Sequence, residues 1–347
     1  MKRKYCIVLA IILAGIILVG GCIYAIVTTF GKKKPELTVY MPDGAPALAF
    51  AKLMSEDTEE DGVTYYVTNA TQIASKVSYT DMDKNADLCV LPLTAATAKL
   101  GTGENYQMVG AVTHGNLYMI SKDTTTTYTT ENLELLKGKT IGVLQFGSTP
   151  GLIFKSMLSK NQIPFNVLTD GGELATDKVN LTPVVIPAGT PAGQVLNGMI
   201  SQGVDLFVMA EPAVTALQKG GFQTVGDVQT LYGAQGYTQA ILVAKKSVIK
   251  DRKSWLTDFL QDLQESAVWA TTVDGETLVS AVQSHFEDTT ATTTLTANTL
   301  NGAVVTRSGV RFEATNVCKT KTIDFLTVAK TVDVKTVVPN DSFYWQE

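Results

Sequence analysis

Thr140-Ile-Gly-Val-Leu144, then Gly147-Ser148-Thr149-Pro150, then the run Gly151 to Lys160 decide the fold. The first segment is short, apolar and β-branched, the composition of a strand buried on both faces of a sheet. The second is turn chemistry, and the third has helix length and helix-forming composition. The same order recurs downstream. Thr182-Pro-Val-Val-Ile-Pro187 reads as a strand before a helix from Pro191 to Gln202, and Val204-Asp-Leu-Phe-Val-Met209 precedes a helix opened by Glu211-Pro212. It recurs upstream too. Leu37–Met41 leads through Pro42-Asp43-Gly44-Ala45-Pro46 into a helix over Leu48–Met54, and Ala86–Leu91 leads through Pro92 into a helix over Thr94–Leu100. Alternating strand and helix imply βαβ units, hence an α/β protein with mixed, mostly parallel sheets flanked by helices.

Further strands are expected at Val63–Val67, Tyr106–Val112, Leu117–Ser121 and Ala240–Ala244. Trp255, Phe259, Leu263 and Ala267 repeat every fourth residue and mark the core face of a long helix. Leu278–Phe286, Leu295–Val305 and Lys319–Ala329 also read as helical.

The 347 residues amount to about two domains. Apolar residues make up 45% and the net charge is −5, so the chain folds around a core and lacks the basic footprint of a nucleic-acid binder. Two distant histidines, His114 and His285, argue against a histidine-rich metal site. Four cysteines, with no CxxC, form no disulfide framework, and Cys89 and Cys318 read as free thiols.

The N-terminus follows the export pattern: basic Met1–Lys4, an apolar stretch Cys6–Val19, then Gly20-Gly21-Cys22. Val19-Gly20-Gly21-Cys22 resembles a bacterial lipobox. That resemblance makes residues 1–21 a signal peptide, Cys22 the lipidated first residue of the mature chain, and residues 22–35 a tether. The competing reading is an uncleaved membrane anchor to about residue 31, since apolar sequence continues to Phe30 and a span needs ~20 apolar residues. Both place the remaining chain, acidic and rich in threonine, on the extracytoplasmic face of a membrane.

In open α/β sheets, ligands bind beyond the carboxyl ends of the strands. Here those ends carry small and polar residues that open helices, and free N–H groups with a Ser or Thr hydroxyl make a polar cradle. Ser148 and Thr149 also serve as plain helix caps. His114, in Thr113-His-Gly-Asn116, is the one histidine near a strand end; alone, it reads as structural rather than catalytic.

The order Leu136–Leu144, Gly147-Ser148-Thr149, Val204–Pro212 resembles the solute-binding proteins of ABC importers for sulfonates, nitrate, taurine and thiamine-pyrimidine precursors. Pro42–Leu48, Tyr237–Lys246 and Pro339–Tyr344 extend the likeness over residues 36–345. It implies a two-lobed, type II periplasmic-binding-protein-like fold with two hinge crossings. Lobe 1 would be residues 36–119 plus 240–347, and lobe 2 residues 120–239. It also implies capture of a small solute without cofactor or metal, by a monomer that delivers it to a permease and its ATPase. No GxxxxGK[ST] P-loop occurs in this chain, so the ATP site belongs to that partner.

Carried onto this sequence, the implied ligand contacts are Gly44, Ala45, Pro46, Thr71, Gln72, Leu93 and Thr94 in lobe 1. Gly147, Ser148, Thr149, Thr190, Glu211 and Tyr237 face them. These loops hold no Arg or Lys; Arg252, Arg307 and Arg311 lie elsewhere. A bidentate sulfonate clamp is therefore not indicated. Asp43 and Glu211 oppose an anion and suit a neutral or amine-bearing heteroaromatic solute such as a pyrimidine. Two other functions are compatible with the same segments: a membrane-anchored ligand-sensing ectodomain, and an enzyme on the same fold.

Overall fold

A computed structural model describes residues 37–57, 62–168, 172–187 and 190–346. The expected signal, tether and lipidation candidate Cys22 lie outside the described residues. The chain divides into two units, residues 1–37 with 58–64 and residues 38–57 with 65–347; the cavity and contacts described below lie in the second.

Strands and helices follow one another as β1 (Leu37–Pro42), α1 (Ala45–Leu48), α2 (Ala51–Ser55), β2 (Val63–Thr68), β3 (Leu88–Pro92), α3 (Leu93–Leu100) and β4 (Tyr106–His114). Next come β5 (Leu117–Ser121), β6 (Thr140–Leu144), α4 (Thr149–Lys160), β7 (Phe165–Val167), β8 (Val179–Val184), α5 (Ala192–Ser201), β9 (Leu206–Ala210), α6 (Ala213–Gln218), β10 (Gln223–Asp227) and α7 (Val228–Tyr232). The chain ends with β11 (Thr238–Lys245), α8 (Lys246–Asp251), α9 (Lys253–Trp269), α10 (Gly275–Gln283), α11 (Gly302–Arg307), β12 (Val310–Ala314) and α12 (Thr315–Val332).

Two six-stranded sheets result, ordered β12-β4-β11-β3-β1-β2 and β10-β5-β9-β6-β8-β7. The fold is thus two-lobed α/β. In the second sheet β6 runs parallel to β8 and β9, and β7 parallel to β8. The first sheet is more mixed than strand–helix alternation implies. β1 and β3 are parallel, but β11 is antiparallel to both β3 and β4, and β12 antiparallel to β4. The reason is connectivity. β4 and β11 are joined through the whole second sheet instead of through one crossover helix, so right-handed βαβ logic does not set their direction.

Local sequence accounts for most elements. β6 is buried from Thr140 to Val143. On α9 the buried face is Leu256, Phe259, Leu260, Leu263 and Ala267; Trp255 is half-buried and stacks on Phe259 with ring centres 5.0 Å apart. Three expectations change. The Leu48–Met54 helix is two short helices, separated at Ala49 and Phe50. Leu295–Val305 is a 3-10 turn at Ala297–Thr299 followed by α11, which Asn301 caps by accepting the Val304 N–H at 3.1 Å. β7, β10 and β12 were not legible, because at three to five residues each is too short for a period-2 pattern to stand out from its surroundings. Cys89 and Cys318 are buried and unbridged.

The chain passes between the sheets twice, after His114 and again after Tyr232. Both passages close on one side chain, Gln229 of α7. A Cβ on Gly115 would lie 1.6 Å from Gln229 Oε1 and 2.8 Å from its Cβ, and one on Gly236 would lie 2.2 Å from Nε2. Gly236 also has φ +60°, a left-handed conformation glycine adopts without cost. Beside them the rings of Tyr232, Tyr237 and Phe325 of α12 meet at 5.6–6.4 Å. α12 in turn packs on α4, so the C-terminal helix bridges the two sheets.

Overpacking of this kind costs about 1–3 kcal/mol. Gly115→Ala is expected to lower the unfolding free energy by about that amount, and adding Gln229→Ala to return most of it; denaturant titration of the two single variants and the double variant reads the coupling.

Candidate functional site

A cavity of about 190 Å³ lies where the carboxyl ends of β1, β3, β4, β6 and β9 converge between the two sheets. The first sheet contributes Pro42, Asp43, Gly44, Ala45, Pro46, Pro92 and Thr113, with Ala70 after β2. The second contributes Leu144, Gln145, Thr149, Pro150, Ala210, Glu211, Pro212 and Ala213. Asn116 comes from the passage after β4, and Gln239 and Ala240 from the start of β11, where the second passage re-enters the first sheet. Larger hollows, about 470 Å³ beside Lys122 and Asp205 and about 860 Å³ beside Trp269 and Trp345, open elsewhere. The smaller cavity is the candidate because it alone of the three sits at the converging strand ends, where α/β sheets hold ligands. Its size, below the ~300–1,000 Å³ of drug-sized pockets, suits a compact solute.

The expected contacts divide. Gly44, Ala45, Pro46, Thr149 and Glu211 line the cavity. Thr94 stands just behind it. Its Oγ1 lies 2.8 Å from Thr149 Oγ1, and its N–H donates to the same oxygen at 3.3 Å, a direct bridge between the starts of α3 and α4. Leu93 is fully buried in the core. Thr71 and Gln72 are exposed; Thr71 binds Asn69 Oδ1, and the neighbour Ala70 takes the cavity position. Gly147 is exposed and Ser148 donates to the Gln145 carbonyl at 3.0 Å. Nearby, Gly151 packs tightly: a Cβ there would lie 2.0 Å from the Phe146 carbonyl oxygen. Thr190 is half-buried outside the cavity. Tyr237 sits in the aromatic cluster of the passages, its hydroxyl accepting the Leu117 N–H at 3.4 Å.

Both carboxylates of the cavity are already engaged. Asp43 accepts from Thr293 Oγ1 at 2.6 Å, and from the N–H and hydroxyl of Thr294 at 2.7 and 2.6 Å. Glu211, whose side chain is 1% exposed, accepts from Arg307 Nε at 3.0 Å and from the N–H and hydroxyl of Thr215 at 2.9 and 2.8 Å. Arg307 belongs to α11, far along the chain, which is why sequence reasoning set it aside. Glu211 is therefore charge-compensated from behind, and its charge alone does not repel an anion. Asn116 and Gln239 were missed. The available signal was an amide side chain near each passage, Asn116 after Thr-His-Gly and Gln239 just before the apolar run Ala240–Ala244.

His114 lies in β4 outside the cavity lining. It is fully buried, neither ring nitrogen has a hydrogen-bond partner, and Glu313 Oε1 is 3.8 Å away. Burial, reinforced by Arg311, pushes its pKa down to about 3. It is a neutral core residue. Among the described residues no cluster of His, Cys, Asp and Glu suits a metal, and no helix is long and apolar enough to cross a membrane.

No family model and no curated protein matches the chain. Solved structures do. An ABC transporter protein from Parabacteroides distasonis is similar with TM-score 0.64 and 18% identity, over 90% of this chain and 100% of that one. The periplasmic aliphatic sulphonate binding protein SsuA of Escherichia coli gives TM-score 0.59 and 15% identity, over 90% and 93%. The alkanesulfonate-binding protein SsuA of Xanthomonas axonopodis pv. citri, solved with MOPS, gives 0.54 and 15%, over 91% and 100%. The chain has the fold of these binding proteins.

Two expectations follow. Removing the guanidinium with Arg307→Ala strands a buried carboxylate. Because Arg307 is 41% exposed, the cost falls between surface and buried values, about 1–3 kcal/mol, while Glu211→Gln with Arg307→Met costs less; urea denaturation compares them. For His114, the folded pKa lies below the unfolded value of about 6.5, so the unfolded chain takes up the proton first. Stability then falls as pH drops from about 6.5 toward 3, by up to ~1.4 kcal/mol per pH unit. His114→Leu is expected to flatten the slope between pH 6.5 and 5.

Proposed function

We propose that this chain is the solute-binding component of an ABC importer. It captures a small organic solute between lobe 1 (residues 36–119 and 240–347) and lobe 2 (residues 120–239) and passes it unchanged to a permease and its ATPase. One observation carries the reading: a compact cavity at the strand ends of two sheets, walled by both, with the Thr94–Thr149 contact spanning them on one side. The fold shared with ABC-transporter binding proteins supports it. So does the state of the two cavity carboxylates, each tied to neighbouring donors as suits holding a ligand more than transferring protons.

The ligand contacts in this reading are Gly44, Ala45, Pro46, Thr149 and Glu211, with Thr94 bridging the lobes. A solute touching both lobes favours the closed arrangement by its differential affinity, so binding and closure are linked. The mature chain would act on the extracytoplasmic face of the membrane, lipidated at Cys22 and monomeric.

A bound solute at one hundred times its Kd should raise the unfolding free energy by about 2.7 kcal/mol. Thermal shift and calorimetry on a panel of small solutes, with small-angle scattering on each hit, are expected to give binding accompanied by a smaller radius of gyration. Chemical conversion of the solute, or binding with no change in scattering, would contradict the proposal. Intact mass of the membrane-derived protein should show a diacylglyceryl group on Cys22; a chain still beginning at Met1 would contradict that part.

A further inference from the structure

At the two crossings between the sheets, Asn116 after β4 and Gln239 at the start of β11 each place a side-chain amide in the cavity wall, and each amide has a buried oxygen with no partner: Asn116 Oδ1 and Gln239 Oε1. Asn116 is 3% exposed. Its Nδ2 points at the Glu211 carbonyl, 3.5 Å away. A carbonyl only accepts, so the nitrogen must take that side and the oxygen is the end left over. Gln239 is placed by a bulge. Thr238 pairs with His114 and Ala240 with Thr113, so two steps along β11 match one along β4 and Gln239 is the extra residue. Bulges re-aim a side chain, often beside a site.

A buried acceptor left unpaired is costly, and native proteins satisfy nearly all such groups. Two in one cavity wall call for a donor from outside the chain. No Lys or Arg lines this cavity, and its carboxylates already hold their donors. An anion would bring only further acceptors toward Asn116 and Gln239.

We propose that Asn116 and Gln239 read the solute directly, and that the solute is a compact organic nitrogen compound without negative charge whose N–H groups donate to these two oxygens. The inference rests on the capture of a solute in this cavity and adds its chemical class. It also puts polar recognition on the hinge segments themselves, so that the bonds which select the solute also tie together the two strands that link the lobes.

The test uses the full-length protein and two probe sets, cytosine and 4-aminopyrimidine against ethanesulfonate and nitrate, by calorimetry. The N–H compounds are expected to bind and the anions not. Asn116→Leu and Gln239→Leu should each weaken binding about tenfold or more, the worth of one hydrogen bond of about 1.4 kcal/mol. Gln239→Glu, which keeps an acceptor oxygen, should retain it. Because the leucine at position 239 replaces an unsatisfied acceptor, the unliganded melting temperature of Gln239→Leu should hold or rise, a readout that a purely structural role for this amide would not produce. Tight binding of an anion with closure in scattering would overturn this inference and leave solute capture standing. Binding of the N–H compounds undiminished in both leucine variants would overturn it as well. Absence of binding by all four probes would overturn it, and a failure of the wider solute panel to bind would overturn solute capture too.

Discussion

Gln229 wedged between Gly115 and Gly236 is the constraint on which the rest depends. The chain passes between the two sheets twice, and both passages run against this one side chain. A Cβ at either glycine would force the Gln229 side chain to move. Beside it Tyr232, Tyr237 and Phe325 bury their rings against one another, and α12 lies across α4. The apolar core accordingly runs on from one sheet to the other through the passages, with Met108 and Ile241 in the same cluster as Ile141 and Val208. Packing that close does not deform continuously, so relative motion of the sheets must concentrate in the few residues of the passages.

That placement explains the polar character of the cavity. Residues 115–116 and Gln239 cannot belong to regular ladder positions on both sides, because one strand ends and a bulge intervenes. The side chains of Asn116 and Gln239 line the cavity. The remaining polar groups are held by the protein itself: Asp43 by Thr293 and Thr294, Glu211 by Thr215 and Arg307, Thr149 by Thr94. The Glu211–Thr215 bonds are local, whereas Asp43, Arg307 and Thr94 are tied to partners far along the chain. Preorganised groups lose little freedom when a ligand arrives, which lets a small cavity bind with few contacts.

Lys245 and Asp87 show the same economy in the first sheet. Asp87 Oδ1 accepts from Lys245 Nζ at 2.9 Å, and its Oδ2 takes the N–H and hydroxyl of Thr38. β1, β3 and β11 are thereby pinned at the ends opposite the cavity, and the strand termini that carry Gly44, Pro92 and Gln239 are left to shape the site. In the second sheet Asp205 does comparable work, accepting the Thr140 N–H at 2.8 Å at the start of β6.

The strand-turn-helix units around Thr140–Lys160 and Val204–Lys219 were legible in the residues, because apolar runs, proline and glycine act over a few neighbours and need no knowledge of the rest of the chain. The same local reading put Gly44, Ala45, Pro46, Thr149 and Glu211 at strand ends that do meet. It could not see that Tyr237 would pack its ring against Tyr232 and Phe325, nor that Arg307 would reach Glu211 across 96 residues. The direction of β11, the bulge at Gln239 and the unpaired oxygens beside it depend on which distant strands pair. Those pairings are set by burial summed over the whole molecule, so only the tertiary structure decided them.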